Sequence, residues 1–230
     1  MKSRHICSLA MAVLTLALSG CVTMENMAFQ EDSERLTDKT KPVLLMTATL
    51  RNSYKLSHQP KLVSVILTKS DGNGGSDRMS FRMDDKGRSE TDSAGQGNRY
   101  LVRLQLDPGN YEILGLQSMS SKFPVIGSFF TPIHSTLTIK DRGVFYLGHV
   151  DATVRERKGE EFKAGSSIPL IDQAVVGASG GTFDVSISDN FSVDEQAFRS
   201  KFPALASATI YRTILPPFDR AKAQKWWEDH

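Results

Sequence analysis

YLVRLQLDPGNYEILGLQ, residues 100–117, is the stretch that decides the fold of this chain. Up to Leu106, every second side chain is large and apolar, which is typical of a β-strand that buries one face. Pro108 and Gly109 follow, and this pair favours a tight turn because proline fixes φ while glycine tolerates positive φ. Tyr111–Gln117 then predicts a second strand that returns from the turn as half of a hairpin.

Strand-like patterns continue on both sides of this stretch. Before it, Val43–Arg51, Lys61–Lys69 and Arg78–Met83 combine β-branched residues with alternating apolar side chains. After it, Ile133–Lys140 and Val144–Arg157 show the same pattern. Short runs rich in Gly, Asp, Asn and Pro separate most of these segments, as expected for antiparallel strands joined by turns.

The C-terminal part of the chain predicts one more strand and two helices. Phe183, Val185 and Ile187 alternate within the strand Gly181–Ser188. A capping box at residues 192–195 begins a predicted helix over 193–202. Asp219 fits the N-cap of a second helix, Arg220–Glu228, and a short strand is predicted at Ala208–Leu215.

One motif resembles a known family. Leu106-Asp107-Pro108-Gly109-Asn110-Tyr111, followed later by Gly143-Val144-Phe145-Tyr146-Leu147-Gly148, is similar to the loose pattern of prealbumin-like or carboxypeptidase-regulatory-like β-sandwich domains of bacterial lipoproteins. The resemblance covers residues 43–157 and implies that Pro-Gly sets a hairpin and that Tyr111 packs in the core. The predicted fold class is therefore mainly β, an antiparallel sandwich (prealbumin-like or immunoglobulin-like) of about seven to nine strands with one or two short C-terminal helices.

The N-terminus carries an export signal. Lys2 and Arg4 precede an apolar run over residues 6–18, which suits the core of a signal peptide and is too short to span a bilayer comfortably. The run ends in Leu18-Ser19-Gly20-Cys21, which resembles the lipobox of bacterial lipoproteins. The alternative is an ordinary secreted protein whose cysteine merely lies near the cleavage site.

The lipobox resemblance implies both an anchor and a location. Residues 1–20 would be removed, and Cys21 would carry a covalent diacylglycerol and an N-acyl chain, which is a lasting membrane anchor. The next residue is Val22 rather than Asp, and by the rules of that family this implies transport to the outer membrane. We expect a lipid-anchored protein that faces the periplasm.

Composition narrows the remaining functions. Cleavage removes Lys2 and Arg4 from 28 basic residues and leaves 26 against 26 acidic ones, so net charge gives no reason to expect nucleic-acid binding. With Cys7 removed and Cys21 acylated, no disulfide can form, and no spacing predicts a metal or a cofactor. Residues 21–41 predict the lipidated cysteine and a flexible tether, or alternatively an extra packed helix, and residues 42–230 a single domain.

Two aromatic segments predict an interaction surface. The segment 118–132 is expected to be irregular because Pro124, Gly127 and Pro132 interrupt it, so its apolar side chains either plug the end of the sandwich or are exposed. The C-terminal tryptophans either close a helix over the sandwich or contact a membrane or partner. The candidate surface comprises Phe123, Ile126, Phe129, Phe130, Trp226 and Trp227.

The sequence contains three patterns of reactive residues. Ser179 lies in a G-x-S-x-G sequence, but a strand-like stretch follows it instead of a helix, and His230 is the only histidine downstream. His149 and Asp151 share one face of a strand as a metal pair would, without a third ligand at a recognisable spacing. The loop at 71–77 begins like a calcium loop but lacks the final glutamate, so a glycine-rich turn explains it better.

The sequence therefore favours a non-enzymatic, lipid-anchored envelope protein whose sandwich is a structural or interaction module, with another envelope protein as the expected partner. A module that binds a glycan or a small hydrophobic molecule through Phe123–Phe130 is the alternative. A more remote alternative is a serine hydrolase with Ser179 as the nucleophile.

Overall fold

The computed structural model describes residues 23–70, 76–89, 97–165 and 173–230, which form two facing β-sheets with short helices packed against them. Sheet A has the strand order β1 (Thr23–Asn26), β4 (Ser76–Arg82), β3 (Lys61–Ser70), β7 (Gly109–Lys122) and β8 (Val125–Ile139). Sheet B has the order β10 (Gly181–Ser188), β9 (Val144–Glu156), β2 (Val43–Asn52), β6 (Asn98–Gln105) and β5 (Arg88–Ser89), with β11 (Ile210–Arg212) beside the start of β9. The helices are α1 (Phe191–Lys201), a 3₁₀ helix (Pro203–Leu205) and α2 (Arg220–Asp229).

The mainly β class, the sandwich and the two short C-terminal helices are confirmed, but the sheets are mixed and not purely antiparallel. Strands β1 and β4 run parallel, and β9 runs parallel to both β2 and β11. The prediction erred because alternation of apolar residues reports which face of a strand is buried, and says nothing of which strand lies beside it.

The turn at Pro108 connects the two sheets and does not close a hairpin. Strand β6 pairs with β2 in sheet B, whereas β7 pairs with β3 and β8 in sheet A. The predicted hairpin is therefore wrong, although both of its strands exist. Tyr111 is buried in the core, as the family resemblance implies, and its hydroxyl donates to the Asp107 carbonyl at 2.8 Å.

The main hydrophobic core fills the space between the sheets. The eight strands of seven or more residues each contribute side chains of one face, as the alternation in the sequence predicts. Buried members include Leu44, Met46, Leu50, Val65, Leu67, Phe81, Tyr100, Val102, Ile113, Phe129, Val150, Val154 and Phe183.

A second core covers the outer face of sheet B. Helix α1, the 3₁₀ helix and the chain before β2 pack there on side chains of β2, β6 and β9. It contains Ala28, Phe29, Val43, Leu45, Leu101, Val144, Tyr146, Phe198, Phe202 and Leu205. Helix α1 therefore lies outside sheet B, whereas α2 packs against β8 of sheet A and, through Arg220, donates to the Phe183 carbonyl of β10 in sheet B.

The N-terminal residues predicted as a tether lie on the domain from Thr23 onward. Strand β1 pairs with β4, and Met27, Ala28 and Phe29 are buried. These residues form a strand and an irregular crossing segment, neither a free coil nor a helix. Few large apolar residues occur between positions 22 and 41, and most of them are used in these contacts.

The two helices begin differently. Asp219 accepts a hydrogen bond from the Lys222 amide at 2.9 Å, so the predicted N-cap of α2 is confirmed. Helix α1 begins after Asn190 without a side-chain cap, and Ser192 lies inside it, so the predicted capping box is wrong. Within the described ranges, no helix has both the length and the apolar character needed to cross a membrane.

Candidate functional site

The predicted lipidation site, Cys21, lies outside the described residues, but β1 limits where it can attach. Thr23 of β1 pairs with Met79 of β4, which pairs with Leu67 of β3. Leu67 in turn pairs with Ile113 of β7, so Thr23 and Ile113 lie at the same level of sheet A. The described chain therefore begins at the β1 edge of sheet A, with Thr23 at the level of Ile113. Two residues of chain span at most about 7 Å.

A set of contacts that we call the N-terminal clasp (Ala28, Phe29, Asp84, Lys86 and Arg103) fixes the chain after β1. The Ala28 amide donates to the Arg103 carbonyl at 3.0 Å, and Arg103 Nε donates to the Ala28 carbonyl at 2.8 Å. Lys86 Nζ donates to the Phe29 carbonyl at 3.1 Å. The clasp ties the segment that follows β1 to sheet B.

Arg103 is the centre of the clasp and is fully buried. Its guanidinium forms an ion pair with Asp84, donates to the Leu101 carbonyl at 2.8 Å and lies 4.2 Å from the centre of the Phe202 ring. Burial lowers the pKa of Arg103, and the Asp84 carboxylate opposes that shift. A buried charge is tolerated only where it is paired and hydrogen-bonded, so this geometry makes Asp84 essential to the clasp.

The segment 118–132 is a regular β-hairpin, so its predicted irregularity is wrong. Strands β7 and β8 pair continuously to Lys122 and Val125, and Phe123 lies in the turn with its side chain 97% exposed. Ile126 is also exposed, Phe130 is half-buried and Phe129 is fully buried. The candidate aromatic surface is thus divided between the hairpin tip and the core.

Helix α2 packs its tryptophans against the β8 side of the sandwich, and both are half-buried. Trp227 contacts the main core. The Trp226 ring lies 5.7 Å from Phe130 and 4.9 Å from His134, and His230 stacks on it at 4.7 Å. Of the two predicted roles, the structure shows the helix covering the sandwich.

His134 is buried beneath α2. Burial lowers the pKa of its imidazole, and Glu112, whose carboxylate lies 3.6 Å from His134 Nδ1, partly opposes the shift. Lys222 binds both the His134 carbonyl, at 2.6 Å, and Glu112, at 2.9 Å. The neutral imidazole is therefore part of the packing between α2 and β8.

The structure also contains a buried polar network that the sequence did not predict (Thr47, Arg99, Tyr146, His149 and Asp194). The Asp194 carboxylate is fully buried and accepts hydrogen bonds from the Thr47 hydroxyl, the Tyr146 hydroxyl and the Arg99 guanidinium. His149 Nδ1 lies 2.7 Å from the Thr47 hydroxyl. The only feature of the sequence that pointed to this network was the presence of polar residues at outward positions of otherwise apolar strands.

The network attaches α1 to sheet B. An aspartate, a histidine and a hydroxyl in one chain of hydrogen bonds are also the elements of a nucleophilic triad. However, Thr47 is fully buried under α1, so its hydroxyl cannot reach a substrate. Burial also raises the pKa of Tyr146 and lowers that of His149, which favours the neutral forms of both.

The other candidate residues are dispersed. Ser179 lies in the turn before β10, and among the described residues no hydrogen bond connects it to a histidine. His149 and Asp151 do share one face of β9, with 4.0 Å between Nε2 and the carboxylate, but Asp151 pairs with Arg51 at 2.7 Å. The described ranges contain no group of three side chains arranged for a metal. Residues 71–75 of the predicted calcium-like loop lie outside them.

Comparison with models of protein families, with curated proteins and with solved structures finds no match to this chain. The resemblance to prealbumin-like lipoprotein domains therefore stays a prediction from the motifs at residues 106–111 and 143–148. Function is inferred from the chain's own residues and geometry.

Proposed function

We propose that this chain is a lipoprotein of the bacterial envelope, anchored through acylated Cys21, whose prealbumin-like β-sandwich is a non-enzymatic structural or interaction module. The observation that supports it is the position of β1, which begins two residues after Cys21 and is built into sheet A. An anchor attached there holds the whole domain against the bilayer.

The fold would transmit attachment at Cys21 to the whole domain. Three acyl chains bury enough methylene groups, at about 0.8 kcal/mol each, to make attachment permanent. The clasp then transmits that attachment to sheet B, because Ala28 and Phe29 are held by Arg103 and Lys86. Val22 after the cysteine supports the outer membrane as the location, with the domain in the periplasm and another envelope protein as its partner.

Expression in a Gram-negative host tests the anchor. Mass spectrometry of the N-terminal peptide should show Cys21 with a diacylglyceryl thioether and an N-acyl group, and membrane fractionation should recover the protein with the outer membrane. Cys21→Ser is the matched control and should abolish both results. A processed product with an unmodified Cys21 thiol, or wild-type protein recovered free in the soluble fraction, would refute the proposal.

A ligand-binding module is the second candidate, and one observation favours it. A cavity of about 310 Å³ lies between β8 and α2, with aromatic walls from Phe129, Phe130, Trp226 and Trp227 and with Gln117 among its polar groups. Aromatic walls with a few polar groups suit a glycan or a small apolar molecule. The chain's two tryptophans both line the cavity, so titration with N-acetylglucosamine oligomers or lauric acid should change tryptophan fluorescence saturably if this candidate is correct.

A further inference from the structure

Sheet A carries exposed apolar side chains from its β1 edge to the hairpin tip. Met24 on β1 is 55% exposed, Met119 on β7 is 39% exposed and Ile126 on β8 is 44% exposed. Phe123 at the tip is the most exposed of all the large apolar residues in the described chain. Large apolar side chains that share one surface mark a contact site more reliably than scattered ones do.

The strand register places these side chains on one face. Met24 lies beside Ser80, whose neighbour Phe81 points into the core, so Met24 points outward. Met119 lies beside Ser128 on β8, and the adjacent Phe129 is the inward residue. Ile126 is two residues before Ser128 and shares its face. The apolar side chains therefore lie on the outer side of sheet A, away from sheet B.

The same face is basic. Arg78 and Arg82 alternate with inward Met79 and Phe81 on β4, and both are exposed. Lys122 adds a positive charge at the tip. No described acidic side chain forms an ion pair with these three residues. Glu112, the acidic residue at this face beside β8, already pairs with Lys222 of α2.

Helix α2 contacts this face at β8, where Trp226 packs on Phe130, and at β7, where Lys222 binds Glu112. On this face Met24, Arg78, Arg82 and Met119 are exposed, and the surface continues to the tip. We call this surface the contact face and define it by Met24, Arg78, Arg82, Met119, Phe123 and Ile126.

We propose that the contact face lies on the anionic phospholipid surface of the bilayer that holds the Cys21 anchor. Thr23, two residues after Cys21, lies at the β1 edge of sheet A, and the tip lies about 33 Å from the level of Thr23 along β7 at 3.3 Å per residue. A domain lying on its side brings both to the bilayer. Apolar and cationic side chains on one surface are the combination that binds anionic lipid interfaces.

The charge of the contact face favours a membrane over a second copy of this chain. Two copies packed face to face would bring Arg78 and Arg82 of each near those of the other without acidic partners on that face, and like charges repel when water is excluded. A phospholipid surface supplies the opposite charge instead. In this orientation α1 and the outer side of sheet B face the periplasm.

Depth measurements on the lipidated protein test this orientation, which rests on the proposed anchor. Cys7 and Cys21 are the only cysteines of the chain, so the mature protein has no free thiol and single labelling sites can be introduced. Met119→Cys and Ile126→Cys carry a bimane fluorophore on the contact face. Val193→Cys on α1, also an exposed apolar position, is the matched control on the opposite side.

The labelled proteins are reconstituted in phosphatidylglycerol–phosphatidylethanolamine vesicles with and without brominated acyl chains. Bimane at positions 119 and 126 should lose emission in brominated vesicles, and bimane at 193 should not. High salt, or vesicles without phosphatidylglycerol, should reduce the loss. Arg78→Gln and Arg82→Gln should each lower the population lying on the membrane roughly five-fold.

The results separate this inference from the proposed function. If the protein is acylated and floats with the vesicles but positions 119, 126 and 193 are quenched equally, the orientation is wrong and the anchor stands. Crosslinking between position 119 of two copies, without quenching, would assign the contact face to a dimer and overturn the inference. Protein that lacks acyl chains and does not float would overturn both.

Discussion

Removing the charge of Asp84 should leave the fully buried guanidinium of Arg103 without its counter-ion. In Asp84→Asn the amide oxygen can still accept from the Gly87 amide, as Asp84 Oδ1 does at 2.9 Å, so the turn is kept. Arg103 keeps its two carbonyl partners and the Phe202 ring but loses its counter-ion. Breaking a buried ion pair from one side costs about 3–5 kcal/mol. Because Arg103 keeps its carbonyl contacts, we expect the free energy of unfolding to fall by about 3 kcal/mol, near the lower end of this range.

A double-mutant cycle isolates the pair. Arg103→Met alone removes the buried charge and should also cost about 3 kcal/mol, since the Ala28 and Leu101 carbonyls lose their donor. The double variant should lose far less than the sum, which gives a coupling energy of about 2 kcal/mol or more. The free energies come from equilibrium urea unfolding of a chain that begins at Val22, followed by circular dichroism.

The exposed pair Lys225–Asp229 is the control, and its cycle should show no coupling outside experimental error. Coupling between Asp84 and Arg103 that is equally small would refute the reasoning, because the guanidinium would then be satisfied by its carbonyls alone. A change in the denaturant slope would instead indicate that the clasp opens before the sandwich unfolds.

Three further predictions use the same unfolding assay. Asp194→Ala removes the buried carboxylate that accepts from Thr47, Tyr146 and Arg99 and should cost about 3–5 kcal/mol, whereas Asp194→Asn should cost less. Burial holds the pKa values of His134 and His149 below their ordinary value of 6.5, so the unfolded chain binds protons more readily. Stability should therefore be complete above that pH and fall as the pH is lowered through it, and a urea midpoint that is equal at pH 7.5 and pH 5.5 would contradict this. Phe123→Ser should change stability by less than about 0.5 kcal/mol because the ring is exposed, whereas loss of a buried ring such as Phe129 should cost about 3–5 kcal/mol.

The residues of strands such as β2, β3 and β6 could be predicted because alternation records burial directly. Tyr100, Val102 and Leu104 do face the core, and so does Tyr111 beyond the turn. Pairing could not be predicted in the same way, because Pro108 and Gly109 permit a tight hairpin and a crossing between sheets equally well. The register that distinguishes the two depends on residues far away in the chain, such as Leu44 opposite Leu104.

The prolines within residues 118–132 led to a wrong prediction of irregular structure for a similar reason. Pro124 falls in the turn itself, where no ladder hydrogen bond is lost, and Pro132 lies beside the irregular register between β7 and β8. The spacing of Ser192 and Glu195 predicts a capping box, and Asp194 lies between them. The Asp194 carboxylate accepts hydrogen bonds from the Thr47 and Tyr146 hydroxyls. Both partners are distant in sequence, so no local sequence pattern could predict them.

The clasp and the contact face depend on each other through β1. A strand of four residues at the edge of a sheet is weak by itself, so its place beside β4 depends on the buried segment that follows it. If the clasp opened, residues 22–41 would become a coil with an end-to-end distance of about 25 Å, and the anchor would no longer hold sheet A at the bilayer. Asp84→Asn should therefore reduce the quenching of bimane at position 119 while the protein remains acylated and vesicle-bound. Undiminished quenching in that variant would show that Arg78, Arg82 and the tip hold the contact face on the membrane without help from the clasp.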